Sequence, residues 1–236
     1  MMGGKKKYAI IVAGGAGTRM GSKLPKQFLL LRGKPVLWHT VSAFLEAYED
    51  LVVILVLPSA YMETGRELGE GLGASSRIRL VEGGATRWHS VQNGLRLAEE
   101  DAVIAVHDGV RCLVTSELIR RCFEQASRLG SAVPVTGCAD SVRLVEEEGS
   151  KPIDRSRIKL VQTPQTFEGS ILFRAYQAAK DVNYTDDATV VEASRVGVHL
   201  IDGEPFNIKI TTPFDLEVAE QVLEYRSGGR ANGGDG

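Results

Sequence analysis

The sequence predicts an α/β fold: a mostly parallel, twisted sheet flanked by helices on both faces. Short apolar runs that recur along the chain are typical of buried parallel strands. Stretches of helical character lie between these runs, which indicates crossover connections from one parallel strand to the next. A chain of 236 residues can build one large α/β core that needs no disulfide or metal for its stability.

The predicted elements alternate regularly through most of the chain. Strands are predicted at residues 8–13, 51–57, 77–81, 102–106 and 131–135, and later at 158–162 and 198–201. Helices are predicted at residues 35–47, 59–70, 90–99, 116–129, 169–180, 187–194 and 213–225. Pro35 suits the first turn of its helix, because proline lacks the N–H group that a helix start leaves unpaired.

The alternation breaks after residue 135. Residues 139–145 and 151–154 are predicted as two strands around an acidic turn at 146–150, an excursion from the sheet that forms a β-arm over residues 138–158. A two-stranded ribbon alone is only marginally stable in water, so the arm needs a surface to pack against. We expect a single domain over residues 1–226 and a disordered, glycine-rich tail at 227–236.

Charge and composition exclude several classes of function. The chain has 28 basic and 30 acidic residues, whereas proteins that bind nucleic acid by neutralising phosphates carry a basic excess, so we expect no nucleic-acid partner. No apolar run approaches the length of about 20 residues that spans a membrane, so we expect no membrane partner. Cys112, Cys122 and Cys138 lack the spacing of a disulfide framework or a zinc site, which favours a cytoplasmic protein.

A glycine-rich loop follows the first predicted strand, with the sequence AGGAGTRMG at residues 13–21. Glycines let the backbone turn its N–H groups toward an anion. The loop fits neither common phosphate-binding pattern, since Met20 occupies the place of a small residue and no Gly-Lys-Ser/Thr follows. Arg19 and Lys26 would add two cations beside it, which suits a polyphosphate. A tight turn with two solvated side chains is the alternative.

Several segments together resemble a known family. The glycine loop with Pro25-Lys26-Gln27 resembles nucleotidyltransferases of the nucleotide-sugar type, and more closely the 2-C-methyl-D-erythritol 4-phosphate cytidylyltransferase family of the non-mevalonate isoprenoid pathway. Five further motifs occur in that family's order: GGATRWHSV at 83–91, HDGVR at 107–111, VQTPQTF at 161–167, TDDA at 185–188 and NIKITTP at 207–213. The resemblance covers residues 7–226.

The resemblance implies a fold, a reaction and an assembly. The fold is a Rossmann-like nucleotidyltransferase sheet with a protruding β-arm. The reaction transfers CMP from CTP to 2-C-methyl-D-erythritol 4-phosphate with Mg²⁺, and it releases pyrophosphate. The assembly is a homodimer in which the arms pack on each other and reach the partner's active site. Two alternatives stay open: a ribitol-5-phosphate cytidylyltransferase, which also acts on a polyol phosphate, and a non-catalytic nucleotide-binding regulator, against which the retention of Arg19 and Lys26 argues.

For the nucleotide, the resemblance implies roles for three groups of residues. Arg19 and Lys26 stabilise the transition state at the α-phosphate, in agreement with the dependence of phosphoryl transfer on positioning and charge. Gly84 and Ser90 contact the cytosine ring, although Ser90 could instead serve only as the N-cap of the following helix. The backbone that cradles the triphosphate belongs to Ala13, Gly14, Gly15 and Gly17.

Asp108 ends a buried strand, where open α/β sheets place groups that bind ligands. Its carboxylate could hold Mg²⁺ or a ribose hydroxyl, and one carboxylate suffices because Mg²⁺ is held largely by substrate phosphates. We expect the neighbouring His107 to pack or to hydrogen-bond and not to act in catalysis.

The resemblance also implies residues that bind the acceptor. Lys209 and Arg155 position its phosphate, Arg155 from the partner subunit, and Arg111 helps to hold it. Ser141 and Thr163 complete the set that binds substrate. Ser141 stands where the family commonly has threonine, which weakens its assignment.

Overall fold

The protein is a central sheet between two layers of helices. The computed structural model describes residues 5–14, 24–179 and 183–228. The strands in these ranges are β1 Lys7–Val12, β2 Leu30–Leu31, β3 Lys34–Pro35, β4 Val52–Leu57, β5 Ile78–Glu82, β6 Val103–Asp108, β7 Ser131–Gly137, β8 Val142–Glu146, β9 Gly149–Ile153, β10 Lys159–Val161, β11 Gln165–Glu168 and β12 Leu200–Asp202. The α-helices are α1 Val36–Ala47, α2 Met62–Gly71, α3 Arg87–Leu95, α4 Ser116–Leu129, α5 Gly169–Ala178, α6 Asp187–Ala193 and α7 Pro213–Gly228.

Eight strands form the main sheet in the order β10-β7-β11-β6-β1-β4-β5, with β12 beside β7. Strand β1 pairs in parallel with β4 and β6, and β4 pairs in parallel with β5. Strand β11 runs antiparallel between β6 and β7, and β10 runs antiparallel to β7. The predicted sheet, mostly parallel and flanked by helices, is therefore confirmed.

The strands of the sheet contribute alternate residues to two separate cores. In β1, Ala9 and Ile11 belong to the core under α1 and α4, while Tyr8 and Ile10 belong to the core under α3, α5 and α6. All four side chains are at most 1% exposed. Because successive side chains of a strand point to opposite faces, an apolar run without polar interruptions fits only a strand covered on both sides.

The predicted strands of the parallel part lie within about two residues of the observed ones, but some boundaries differ for local reasons. Helix α3 begins at Arg87, three residues before the predicted start, because the Thr86 hydroxyl caps it by accepting from the His89 N–H. Residues 59–61 form a short 3-10 turn ahead of α2. Helix α7 extends through Gly228, so the prediction of a disordered tail is wrong for Ser227 and Gly228. The remainder of that tail, 229–236, lies outside the described residues.

Strand β11 was not predicted, although it lies in the middle of the sheet. Its residues Gln165 and Thr166 are polar and buried, so no apolar run marks the strand. The Gln165 amide oxygen accepts from the backbone N–H groups of Asp187 and Ala188, at 2.9 and 2.8 Å. This polar residue is therefore kept inside the protein by hydrogen bonds to another segment, which a local pattern cannot reveal.

The arm is a hairpin of β8 and β9, paired from Val142–Ile153 to Glu146–Gly149. Residues 147 and 148 turn the chain, and Gly149 takes a φ of +97°, which favours glycine. The arm's two ends leave the main sheet side by side, because β7 and β10 pair with each other and Gly137 lies opposite Lys159 at the base of the arm. Within this chain, Val145 remains 79% exposed at the arm.

The three cysteines are unpaired, and two of them are deeply buried. Burial raises the pKa of the Cys112 and Cys122 thiols to about 12, so neither is a thiolate at neutral pH. In the described ranges, no helix is long and apolar enough to cross a membrane.

A chain of hydrogen bonds supports the end of β6. The Asp108 N–H donates to the Thr163 hydroxyl at 3.2 Å, and that hydroxyl donates to Nδ1 of His107 at 2.9 Å. Nε2 of His107 in turn donates to the Arg111 carbonyl at 3.2 Å, since a carbonyl oxygen only accepts. This order requires a neutral imidazole, and burial lowers the pKa of His107 to about 3. The prediction that His107 packs and hydrogen-bonds is confirmed.

The neutral His107 makes stability depend on pH. Because its pKa is about 3 in the folded protein and 6.5 in the unfolded chain, its contribution is complete above pH 6.5 and is lost as pH falls toward 3. We expect the free energy of unfolding to fall by about 1.4 kcal/mol per pH unit in that window. Urea unfolding at pH 7.5, 5.5 and 4.5 measures it. His107→Gln, whose side chain has no charge to gain, should show a flatter profile, and a slope equal to that of the wild type would contradict this account.

Candidate active site

A cleft of about 430 Å³ opens at the carboxyl ends of β1 and β6. Its walls come from the loops that follow these strands and β5, as expected for ligand sites in open α/β sheets. The residues predicted for the site that line this cleft are Ala13, Gly14, Lys26, Gly84, Ser90, Asp108 and Lys209. The structure thus brings residues from four separate sequence motifs to one place.

Three other predicted site residues, Gly15, Gly17 and Arg19, fall outside the described residues.

Thr163 lies under the cleft and is 4% exposed, and its hydroxyl bonds Asp108 and His107. Thr163 therefore supports Asp108 from below and does not itself line the cleft. Ser141 and Arg155 are exposed at the base of the arm, where the Arg155 guanidinium donates to the Ala139 carbonyl. They do not line the cleft of their own chain.

Asp108 is the centre of the charge arrangement in the cleft. Its Oδ2 lies 3.0 Å from the Lys209 ammonium and 3.6 Å from Nε of Arg111. Its Oδ1 lies 3.5 Å from Nε of Arg87. Burial alone would raise the pKa of Asp108, but the three cations hold it well below its usual value. Together with Asp187, which also pairs with Arg87, two carboxylates face three cations, which leaves one positive charge in surplus for an anionic ligand.

The segment that carries Lys209 is fixed by a buried asparagine. Asn207 is fully buried, and its Nδ2 donates to the Thr163 carbonyl at 2.8 Å. The Asn207 carbonyl accepts from the Arg111 guanidinium at 2.8 Å. The Ile210 N–H donates to the Val110 carbonyl at 3.0 Å. These bonds explain why the asparagine stands two residues before the lysine in this motif.

Lys26 is placed by the residue that follows it. Gln27 is 1% exposed, and its Nε2 donates to the Ala13 carbonyl at 2.7 Å. This bond connects the short 3-10 turn at Lys26–Phe28 to the first residue after β1. Lys26 therefore borders the cleft beside Ala13 and Gly14, where the glycine loop begins.

The loop after β5 closes around Ser90, which is 3% exposed. The Ser90 hydroxyl accepts from the Gly84 N–H at 3.1 Å and donates to the Thr86 carbonyl at 3.0 Å. The interpretation of Ser90 as an N-cap is wrong, because Thr86 caps α3. Gly84 is required by close packing: a Cβ atom there would lie 2.3 Å from the Cβ of His89.

Sequence reasoning missed two residues of this site, Arg87 and Asp187. The Arg87 guanidinium makes a bidentate pair with the Asp187 carboxylate, at 3.1 and 2.7 Å, and Asp187 is fully buried. Burial by itself would lower the pKa of Arg87, but Asp187 and Asp108 raise it above its usual value. Both residues stand in motifs that the sequence analysis quoted. The sequence offered one signal for Asp187, because two aspartates stand in succession at the start of α6. A helix start needs only one cap and Asp186 supplies it, so Asp187 is available for another contact.

The residues present allow a test of fit for Mg²⁺. Asp108 is the one carboxylate among the described residues that line the cleft, and both of its oxygens face cations. Nor do the ranges 5–14, 24–179 and 183–228 contain a group of three or more His, Cys, Asp or Glu side chains that could hold a metal. This donor set fits an ion that is held mostly by substrate phosphates, with Asp108 as a single protein ligand.

The chain matches a known family of proteins in sequence. The sequence model of the IspD family, described as 2-C-methyl-D-erythritol 4-phosphate cytidylyltransferase, matches residues 8–225. A protein of that name from Bacteroides fragilis is 49% identical over 217 residues, which cover 92% of this chain and 99% of the relative.

Solved structures are similar as well. The crystal structure of 4-diphosphocytidyl-2C-methyl-D-erythritol synthase from Anaerococcus prevotii matches with a TM-score of 0.81 at 26% identity, covering 94% of this chain and 100% of that one. The cytidylyltransferase from Thermus thermophilus matches with a TM-score of 0.76 at 34% identity, covering 93% and 99%. On these matches in sequence and structure, the chain belongs to the 2-C-methyl-D-erythritol 4-phosphate cytidylyltransferase (IspD) family.

Proposed function

We propose that this protein transfers CMP from CTP to 2-C-methyl-D-erythritol 4-phosphate, giving 4-diphosphocytidyl-2-C-methyl-D-erythritol and pyrophosphate. The observation that carries the proposal is the convergence of Lys209, Arg111 and Arg87 on one buried carboxylate beside the loop after β1. Such a cleft suits two phosphorylated substrates that must be brought together against their own repulsion. Family membership supports the same reaction.

The chemistry needs no nucleophile from the protein. An oxygen of the acceptor phosphate attacks the α-phosphorus of CTP, the new O–P bond forms, and the bond to the pyrophosphate leaving group breaks. Catalysis of this kind rests on positioning and on charge stabilisation. Arg19 and Lys26 act on the charge that develops at the α-phosphate, and the backbone of the glycine loop (Ala13, Gly14, Gly15 and Gly17) binds the triphosphate. The buried thiols of Cys112 and Cys122 take no part.

Mg²⁺ is the cofactor we propose, with Asp108 as its protein carboxylate ligand. When bound with the nucleotide, the ion supplies positive charge to the phosphate oxygens. The acceptor phosphate is held by Lys209 and Arg111. Thr163 contributes from below through its bond to the Asp108 N–H.

The arm leads to a proposal for assembly. Its apolar side chains Leu144 and Val145 are 44% and 79% exposed, and Leu160 at its base is 52% exposed. A homodimer formed through two such arms would cover them, because a self-complementary patch serves both chains. Ser141 and Arg155, which do not line the cleft of their own chain, would then reach the partner's acceptor phosphate.

We further propose a cytoplasmic location, in keeping with the unpaired cysteines.

The reaction is tested by the release of pyrophosphate from CTP with each of two acceptors. We expect the methylerythritol phosphate to react at least tenfold faster than ribitol 5-phosphate, since binding groups that fit one polyol leave polar groups unpaired with the other. Lys26→Ala should lower kcat by a factor of about 10² to 10³, with a smaller effect on the KM for CTP. Lys34→Ala, in the exposed β2–β3 hairpin, is the matched control and should stay active. Faster turnover of ribitol 5-phosphate, or a normal kcat in Lys26→Ala, would contradict the assignment.

Selectivity for cytosine should depend on Ser90. Ser90→Ala removes the hydroxyl that holds the Gly84 N–H, so we expect the ratio of kcat/KM for CTP over UTP to fall about fivefold, the worth of roughly one hydrogen bond. Ser127→Ala is the matched control, because the Ser127 hydroxyl donates to the Phe123 carbonyl four residues back, as Ser90 does to Thr86. An unchanged ratio in Ser90→Ala with a lower melting temperature would mean that Ser90 is only structural.

The shared active site is tested by mixing two inactive variants. A heterodimer of Arg155→Ala and Lys26→Ala chains has one site that keeps every cation if Arg155 acts in the partner's cleft. Random reassortment should therefore restore about a quarter of wild-type activity. If Arg155 acted within its own chain, every site would lack one cation and activity would not return. Sedimentation verifies that dimers have formed, and a monomer at assay concentration would argue against the assembly.

A further inference from the structure

Arg87 connects two carboxylates that lie far apart in the sequence. Its Nη1 and Nη2 pair with Asp187 at 3.1 and 2.7 Å, while its Nε faces Oδ1 of Asp108 at 3.5 Å. Building on the proposed function, we propose that Arg87 is a positioning residue for the acceptor. Its guanidinium, fixed by the buried Asp187, holds the Asp108 carboxylate in place while Lys209 and Arg111 turn to the acceptor phosphate.

The guanidinium is fixed from behind by the sheet. The Asp187 carboxylate accepts from the Tyr176 hydroxyl at 2.7 Å, and the Asp187 N–H donates to the Gln165 side chain at 2.9 Å. Gln165 belongs to β11 and stands in register with Val106 of β6. Asp187 is therefore tied to the strand adjacent to the one that carries Asp108. A side chain clasped in this way keeps its position when a ligand enters the cleft.

The other two cations are in a different situation. Lys209 and Arg111 reach the same Asp108 oxygen, and the Lys209 side chain is 44% exposed toward the cleft. The Arg111 guanidinium is also held by the Asn207 carbonyl at 2.8 Å, so an acceptor phosphate, which carries more charge than a carboxylate, would compete with Asp108 chiefly for Lys209. Asp108 would then depend on the cations that remain, among them the proposed Mg²⁺ and Arg87, and Arg87 keeps its place because the buried Asp187 holds it. A buried charge without a partner is strongly unfavourable.

If Arg87 were merely structural, it would only join α3 to α6 through its pair with Asp187. The contact of its Nε with Asp108 and its place in the wall of the cleft go beyond such a clasp. The two roles predict different kinetics. Loss of a clasp affects both substrates or only stability, whereas loss of a positioning contact affects the substrate that Lys209 and Arg111 bind.

The test uses the double variant Arg87→Gln/Asp187→Asn in the full chain. Two amides can replace the bidentate pair with a hydrogen bond, so no buried charge remains unpaired. We expect kcat/KM for 2-C-methyl-D-erythritol 4-phosphate to fall about ten- to hundredfold, as for a misplaced reacting group. The KM for CTP should change less than threefold. The single variant Asp187→Asn keeps Arg87 beside Asp108 but weakens the contact that fixes it, so its loss for the acceptor should be smaller than that of the double variant and again larger than its loss for CTP.

Two further variants keep the experiment decisive. Arg87→Lys retains a charge for Asp187, but its one nitrogen replaces the three with which Arg87 contacts Asp187 and Asp108 together, so it should show the same acceptor-specific loss if the double variant fails to fold. Arg77→Gln removes an arginine that donates to the carbonyls of Leu45, Tyr48 and Glu49, and it should lower the melting temperature without changing either KM.

Each outcome decides between the two roles. Wild-type constants in a folded Arg87 variant would overturn the proposal, and so would equal losses for CTP and the acceptor. If the wild-type protein released no pyrophosphate with either polyol phosphate, the proposed function would fail instead, whatever the variants show.

Discussion

One buried carboxylate organises this protein. Asp108 ends the central strand β6 at 9% exposure, and burying an ionised carboxylate is unfavourable unless cations and hydrogen bonds replace the lost water. Lys209, Arg111 and Arg87 come from three different segments and would repel one another without it. The charge of Asp108 therefore both requires these cations and allows them to share so small a space.

Two kinds of support hold the cleft in shape. The side formed by the loops after β1 and β5 depends on side-chain bonds to the backbone: Gln27 fixes the Ala13 carbonyl, and Ser90 fixes the Gly84 N–H. The side around Asp108 depends on long side chains of opposite charge. Beneath it, neutral groups such as His107 and Thr163 saturate the backbone at the end of β6, so the charged groups above are free to serve the ligand.

Much of the fold could be predicted from the sequence, because strands buried on both faces must be apolar and their neighbours must be helices. The cleft residues Lys26, Asp108 and Lys209 were also found, Asp108 because it ends a buried strand, and Lys26 and Lys209 because they stand in motifs that resemble a known family. Strand β11 was not found, because its buried residues are polar and are satisfied by a distant segment. Arg87 and Asp187 are 100 residues apart, and only the folded chain shows that one is the partner of the other.

The arm enters and leaves the sheet at neighbouring positions, with Gly137 opposite Lys159. It is therefore an insertion closed at its base, and the register of the main sheet does not depend on its length or its composition. Changes within residues 138–158 can accumulate, or the segment can be exchanged as a unit, without disturbing Asp108 or the loops around it. An enzyme built in this way can diversify its arm while the residues that line the cleft stay under separate constraint. Recombination between relatives would have a natural boundary at the β7–β10 pair.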